Sequence, residues 1–95
     1  MKFLEKFGFK KDDIAALKEN STSALLKEIE AHKKLVSKNL EYLSDMGVTN
    51  LIEIFTRYHD MFLMDNSNFV EIFNKYDQKD LVDKLARNVQ IMEYL

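Results

Sequence analysis

The stretch that decides the fold runs from residue 21 to residue 47 and reads STSALLKEIEAHKKLVSKNLEYLSDMG. Its apolar residues recur at intervals of three, four or seven, which places them on one face of an α-helix. This face comprises Leu25, Ile29, His32, Val36, Leu43 and Met46, widened by Leu26, Leu35 and Leu40. Ser21 or Thr22 can cap the start, and Gly47 is suited to a left-handed helix end. The pattern predicts one long amphipathic helix from Ser21 to Met46.

Shorter helical patterns lie on both sides of this stretch. Thr49 or Asn50 is predicted to begin a second helix, and the polar segment 65–68 is predicted to form a turn followed by a cap. Two further helical patterns cover about 69–76 and 81–89, and no stretch alternates with the period of two that marks a strand. We therefore expect a single all-α domain over residues 1–95, either a small helical bundle or a stack of helix pairs.

Length and composition exclude several classes of protein. A chain of 95 residues with a net charge of −2 has room for one domain. The absence of cysteine excludes a disulfide framework and a thiolate zinc site. The longest apolar run, residues 61–64, is too short to span a membrane, and charged residues interrupt the first ten positions where a signal peptide would need an apolar core. These features predict a cytoplasmic protein.

Three segments of the chain resemble one another. FLEKFGF at 3–9 matches LEYLSDMGV at 40–48 when Gly8 and Gly47 are aligned, and VEIFNKYD at 70–77 follows the same pattern with Asp77 in place of glycine. A polar step, a second apolar helix and a closing apolar pair follow each segment. The possible repeats are 1–26, 40–64 and 70–95, and stacked helix pairs of this kind bury their open faces against their neighbours. The alternative is an irregular bundle in which glycine only ends helices.

The pattern of Leu-x-x-x-Gly followed by Val or Phe, a second helix and a closing leucine pair resembles the repeat of the mitochondrial transcription termination factor family. This resemblance implies a curved stack of helix pairs with short 3₁₀ turns, which in that family binds double-stranded nucleic acid on a basic concave surface. Members usually carry a proline before the closing pair, whereas this chain has none and places Ser23 and Asp60 nearby. The chain also has fewer repeats and fewer basic residues than the family, so the resemblance supports the architecture more than the activity.

Charge is distributed unevenly along the chain. Residues 1–38 contain nine lysines and six acidic residues, whereas residues 39–95 contain five basic and ten acidic residues. A nucleic-acid interface would use the lysine stripe of the long helix, since phosphate neutralisation dominates such binding. Its candidate residues are Lys27, Lys33, Lys34 and Lys38, assisted by Arg57 and Arg87. The sequence pI of about 5.6 disfavours this interpretation, and a lysine stripe is also a common solvent-exposed helix face.

The end of the chain is rich in apolar residues with few charges between them. In an open stack of helices, such a face is either capped, shared with a partner or left exposed. We predict a protein interface formed by Tyr58, Phe62, Val89, Ile91, Met92, Tyr94 and Leu95. The alternative is that these side chains complete the core.

Catalytic and metal-binding patterns are absent from the sequence. His32 lies on the apolar stripe and is predicted to be a partly buried structural residue, and a neighbouring carboxylate could polarise His59. Neither histidine belongs to a ligand pair with metal-binding spacing. A hydrolytic triad would need a serine beside His59, and no nucleophile motif supplies one. We predict no enzyme activity and no cofactor.

The sequence thus predicts a non-catalytic protein-interaction module that self-associates or docks on a larger protein partner, with a regulatory role possible. The alternative is a nucleic-acid-binding helical repeat that uses the lysine stripe. No membrane contact and no small-molecule substrate is indicated.

Overall fold

Residues 21–46, predicted to form one long helix, form two helices. In the computed structural model, which describes residues 1–95, α2 covers Ser23–Ala31 and α3 covers Lys33–Met46. The predicted single helix is wrong at His32, whose backbone (φ −110°, ψ 33°) leaves the helical region. The His32 side chain is 56% exposed, so the prediction of a partly buried histidine is also wrong. The predicted cap at Thr22 is confirmed, because its hydroxyl accepts a hydrogen bond from the Leu25 N–H at 3.2 Å.

The chain contains six α-helices, three 3₁₀ helices and no strand, which confirms the all-α prediction. The elements in order are η1 (Lys2–Phe7), α1 (Lys11–Glu19), α2, α3, α4 (Leu51–Tyr58), η2 (His59–Leu63), α5 (Asn66–Asn74), α6 (Gln78–Arg87) and η3 (Val89–Tyr94). The order α–α–3₁₀ therefore occurs twice, over 33–63 and 66–94. The first predicted repeat differs, because its opening segment is a 3₁₀ helix and its closing leucine pair lies in α2.

The central helices α3 and α4 contact different parts of the chain. Helix α3 packs against η1, η2 and α5, while α4 packs against α1, η2 and η3. The core includes Phe55, Phe62, Phe69 and Phe73, which are completely buried, and the centres of neighbouring rings lie 4.9–5.1 Å apart. Such aromatic contacts add to the stability that apolar burial provides.

The two aligned glycines end their helices in the same way. Gly8 and Gly47 have φ values of 89° and 100°, a region that glycine enters without steric cost. After α3, the Gly47 N–H donates to the Ser44 carbonyl and the Val48 N–H donates to the Leu43 carbonyl. The same pair of bonds occurs after η1, and in both places it forms the Schellman arrangement. At the third segment, Asp77 has φ −64° and instead caps α6 by accepting from the Asp80 N–H at 3.0 Å.

A buried polar contact joins the middle of the chain. Asn39 is completely buried on α3, and its amide donates to the carbonyls of Phe62 and Met64, each at 2.9 Å. Its carbonyl accepts from the Asn66 amide at 2.9 Å. Asn39 therefore holds the exit of η2 and the start of α5 against α3 with every bond satisfied.

Candidate functional site

An apolar groove of about 240 Å³ lies where the end of α5, helix α6 and η3 meet. Its lining consists of Tyr76, Asp80, Leu81, Lys84, Ile91, Tyr94 and Leu95. Tyr94 is 83% exposed and Tyr76 is 41% exposed, and these are the only large hydrophobic side chains of the chain that are exposed. Both lie in this one groove. We call the seven lining residues the C-terminal groove.

The predicted protein interface is divided by the structure. Ile91, Tyr94 and Leu95 line the C-terminal groove. Phe62, Val89 and Met92 are buried in the core, with exposures of 0%, 7% and 4%. They cannot contact a partner in the folded chain, and their assignment to a surface is corrected. The sequence does not indicate that this segment is a 3₁₀ helix, whose three residues per turn place Val89 and Met92 on the buried face and Ile91 and Tyr94 on the groove side.

Tyr58, the remaining interface candidate, is engaged within the chain. Its hydroxyl donates to the Glu93 carboxylate at 2.5 Å, which ties α4 to η3. The Arg57 guanidinium carbon lies 5.8 Å from the centre of the same ring. The hydrogen bond to Glu93, with smaller effects of desolvation and of the Glu93 charge, raises the pKa of Tyr58 above its ordinary 10.0. Tyr58 thus fixes the position of η3 and does not line the groove.

A second groove, of about 380 Å³, lies between η1 and α3. Its lining residues are Phe3, Lys6, Lys33, Lys34, Ser37, Lys38 and Glu41, which we call the lysine groove. Sequence analysis identified three of these lysines but missed Lys6, because residue 6 reaches the groove from a separate element. The packing of η1 on α3 was the missing information.

The remaining nucleic-acid candidates lie elsewhere. Lys27 is on α2, Arg57 is on α4 and Arg87 is in the last turn of α6, and none of them lines the lysine groove. The predicted set of six basic residues therefore does not form one lining, and only Lys33, Lys34 and Lys38 are brought together.

A serine does lie beside His59, although the sequence did not suggest one. His59 is 5% exposed, and its Nε2 lies 2.9 Å from the Ser21 hydroxyl, while its Nδ1 lies 3.1 Å from the Thr56 carbonyl. A carbonyl only accepts, so Nδ1 carries the proton and the Ser21 hydroxyl donates to Nε2. The expected carboxylate partner of His59 is not among its contacts. Neither Ser21 nor His59 lines any of the three grooves, and the pair joins the α1–α2 link to η2.

No group of three or more histidine, aspartate or glutamate side chains is placed to hold a metal ion. None of the helices has both the length and the apolar character that crossing a membrane requires.

Comparison of the chain with protein-family models, with curated proteins and with solved structures gave no match.

Proposed function

We propose that this chain is a non-catalytic protein-interaction module that self-associates through the C-terminal groove. The observation that supports this proposal is the coincidence of the two exposed tyrosines in one apolar groove. Exposed aromatic side chains that border a pocket are typical of the centre of a protein interface, where tyrosine contributes a large rigid area and a polar tip.

The occupant that fits this surface best is a second copy of the same chain. The groove carries both an outward aromatic side chain, Tyr94, and an apolar recess beside it, so two copies related by a two-fold axis can each insert a ring into the other. Asp80 and Lys84 add one negative and one positive charge to the same lining and pair at 2.9 Å within α6. A two-fold axis that passes between Asp80 and Lys84 places each charge opposite its complement on the second copy, and such complementarity selects the orientation more than it adds affinity.

The first experiment is sedimentation of the wild-type chain and of Tyr94→Ser over concentrations from about 1 μM to about 1 mM. We expect a wild-type dimer that persists in physiological salt and a loss of association of at least tenfold in Tyr94→Ser. Tyr94→Phe is the matched control, since it keeps the ring and should retain the dimer. A wild-type chain that stays monomeric throughout would refute self-association.

A charge exchange distinguishes a second copy from a foreign protein. Asp80→Lys alone brings like charges together across the two-fold axis, so we expect weaker association. The double variant Asp80→Lys with Lys84→Asp restores complementary charges in both copies at once and should recover the dimer. If the double variant is as defective as the single one, the two charges do not meet across a two-fold axis. Asp80→Lys removes the exposed Asp80–Lys84 pair and places a lysine in the first turn of α6, effects that should cost the helix about 1 kcal/mol or less, so circular dichroism of both variants is the folding control.

The sequence-based alternative of nucleic-acid binding has weaker support. Its two arginines lie outside the lysine groove, and arginine is the residue that reads guanine through a bidentate contact.

A further inference from the structure

The lysine groove concentrates positive charge in an acidic protein. Lys6, Lys33, Lys34 and Lys38 converge on one recess, although the chain as a whole has a net charge of −2. Without these four side chains the formal charge of the rest would be −6. None of the four takes part in an ion pair, since the three ion pairs of the chain involve other residues.

The fold does not explain this cluster. Lys33 and Lys34 occupy the first turn of α3, which contains no acidic residue. The start of α3 disfavours lysines, whereas the end of α2 at His32 favours them, so the two helix ends offset each other. The four like charges of one lining still repel one another. A cluster of like charges that no ion pair within the chain compensates points to a negatively charged ligand.

Two acidic residues lie near the groove without neutralising it. Glu41 is part of the lining. Asp65 is close enough to Lys38 that the lysine charge contributes to lowering its pKa, although the main cause is the hydrogen bond from the Ser67 hydroxyl. Four positive charges therefore face at most two negative ones, and Lys6, Lys33 and Lys34 have no acidic partner of their own.

We propose that the lysine groove binds a compact anion that carries several phosphate groups in a row, as in a nucleoside triphosphate or an inorganic polyphosphate. Lysine ammonium groups act as point charges on phosphate oxygens, and the Ser37 hydroxyl supplies a further donor at the same wall. A volume of about 380 Å³ lies in the range of small-molecule sites. Phe3 is the one hydrophobic side chain of the lining, and its ring offers a surface on which a nucleobase can stack.

A compact anion fits this surface better than a nucleic acid does. Extended duplexes contact many phosphates along their length, whereas the four clustered lysines line one recess and the rest of the chain has a net charge of −6. A short run of phosphates contacts the recess alone and avoids the acidic surroundings.

The test is titration calorimetry with sodium tripolyphosphate at low salt, using the full chain. We expect saturable binding at one site, weakening as salt is added because exposed charges are screened. The double variant Lys33→Gln with Lys34→Gln should lose at least tenfold in affinity. Lys79→Gln is the matched control, because Lys79 is exposed on α6 and lines none of the grooves. Equal binding by both variants, or no binding by the wild type, would overturn the proposal.

Two further titrations identify the source of the phosphates. Tighter binding of ATP than of tripolyphosphate, with the difference removed by Phe3→Leu, would assign a nucleotide. Equal affinities would assign an inorganic polyphosphate. Duplex DNA that binds through Lys33 and Lys34 and that tripolyphosphate fails to displace would contradict the proposal and restore the nucleic-acid interpretation. The lysine groove lies on η1 and α3, whereas the C-terminal groove involves α6 and η3. The result of these titrations therefore does not depend on whether the chain self-associates.

Discussion

Asn39 makes three side-chain hydrogen bonds, more than any other side chain of the molecule. It is completely buried, and its three hydrogen bonds reach Phe62, Met64 and Asn66. Buried polar groups are stable only when their bonds are satisfied. The amide therefore specifies one arrangement of η2 and α5 on α3, where purely apolar contacts would allow several.

Replacing Asn39 with alanine should destabilise the chain by about 2–4 kcal/mol, because two carbonyls and the Asn66 amide would lose their partner in the interior. The measurement is urea unfolding followed by circular dichroism. Asn66→Ala is the matched control, and it should cost less because it removes one of the three bonds and lies only partly buried. A loss for Asn39→Ala no larger than that of the control would show that water replaces the missing donor.

The sequence offers no signal for the role of Asn39. Its neighbours Val36, Leu40 and Leu43 are correctly predicted to be buried from their helical spacing. An asparagine next to that stripe is normally predicted to be exposed to solvent. Only the folded structure, in which the carbonyls of Phe62 and Met64 lie beside Asn39, explains why its side chain is buried. The same holds for the Ser21–His59 pair, whose members are 38 residues apart.

Helix ends were more predictable than helix continuity. Gly47 was expected to stop a helix, and it does so with a φ of 100°. The break at His32 has no comparable signal, because neither glycine nor proline lies near it. Both α2 and α3 pack against η2, whereas only α3 also packs against η1 and α5. The pattern that is continuous in sequence therefore serves two helices with partly different partners, which no local signal at His32 reveals.

Gly47→Ala should lower the free energy of unfolding by about 1–2 kcal/mol, which is the cost of a left-handed backbone for a residue with a Cβ atom. A Cβ at this position would meet no atom within 4 Å, so the loss reports backbone strain alone. Gly8→Ala provides an internal comparison, because Gly8 also has a left-handed backbone (φ 89°) and a Cβ there would also meet no atom within 4 Å. Thermal unfolding of both variants tests this. Unchanged stability would mean that the helix end relaxes to another conformation.

The contact between Tyr58 and Glu93 makes the packing of η3 sensitive to alkaline conditions. The folded-state pKa of Tyr58 is raised above 10.0 mainly by its hydrogen bond to Glu93. Because the pKa of Tyr58 is raised in the folded state, the Tyr58–Glu93 hydrogen bond contributes fully to stability below pH 10. This contribution is lost as the pH rises through the folded-state pKa. The loss follows because a tyrosinate cannot donate to a carboxylate.

We therefore expect the unfolding midpoint of the wild type to fall at alkaline pH more steeply than that of Tyr58→Phe, which lacks the hydroxyl. Comparing the two chains across the same pH series removes the effect of lysine titration, which both share. Parallel curves would show that the Tyr58–Glu93 bond does not contribute to stability in solution.

Surface features were predicted less well than the fold class. Composition and spacing correctly indicated an all-α chain, and they located an apolar end and a lysine stripe. Composition and spacing could not distinguish the buried Val89 and Met92 from the groove-lining Ile91 and Tyr94. The burial of each residue depends on how η3 packs against α4 and α6. Composition and spacing also missed Lys6 and Tyr76. Lys6 reaches its groove from η1, which is distant in sequence from α3, and Tyr76, in the link before α6, meets Ile91 and Tyr94 only because η3 packs on α6.

Six side-chain hydrogen bonds between distant parts of the chain share one property. Each has a partner between Asn39 and His59, and they reach back to Ser21 and forward to residues between Phe62 and Glu93. A simple array of helical units would fray from its ends, one unit at a time. Here residues 39–59 are bonded to segments on both sides, so opening either end disrupts hydrogen bonds in the middle. We therefore expect cooperative unfolding, in which amide hydrogen exchange finds the terminal helices protected nearly as well as the centre.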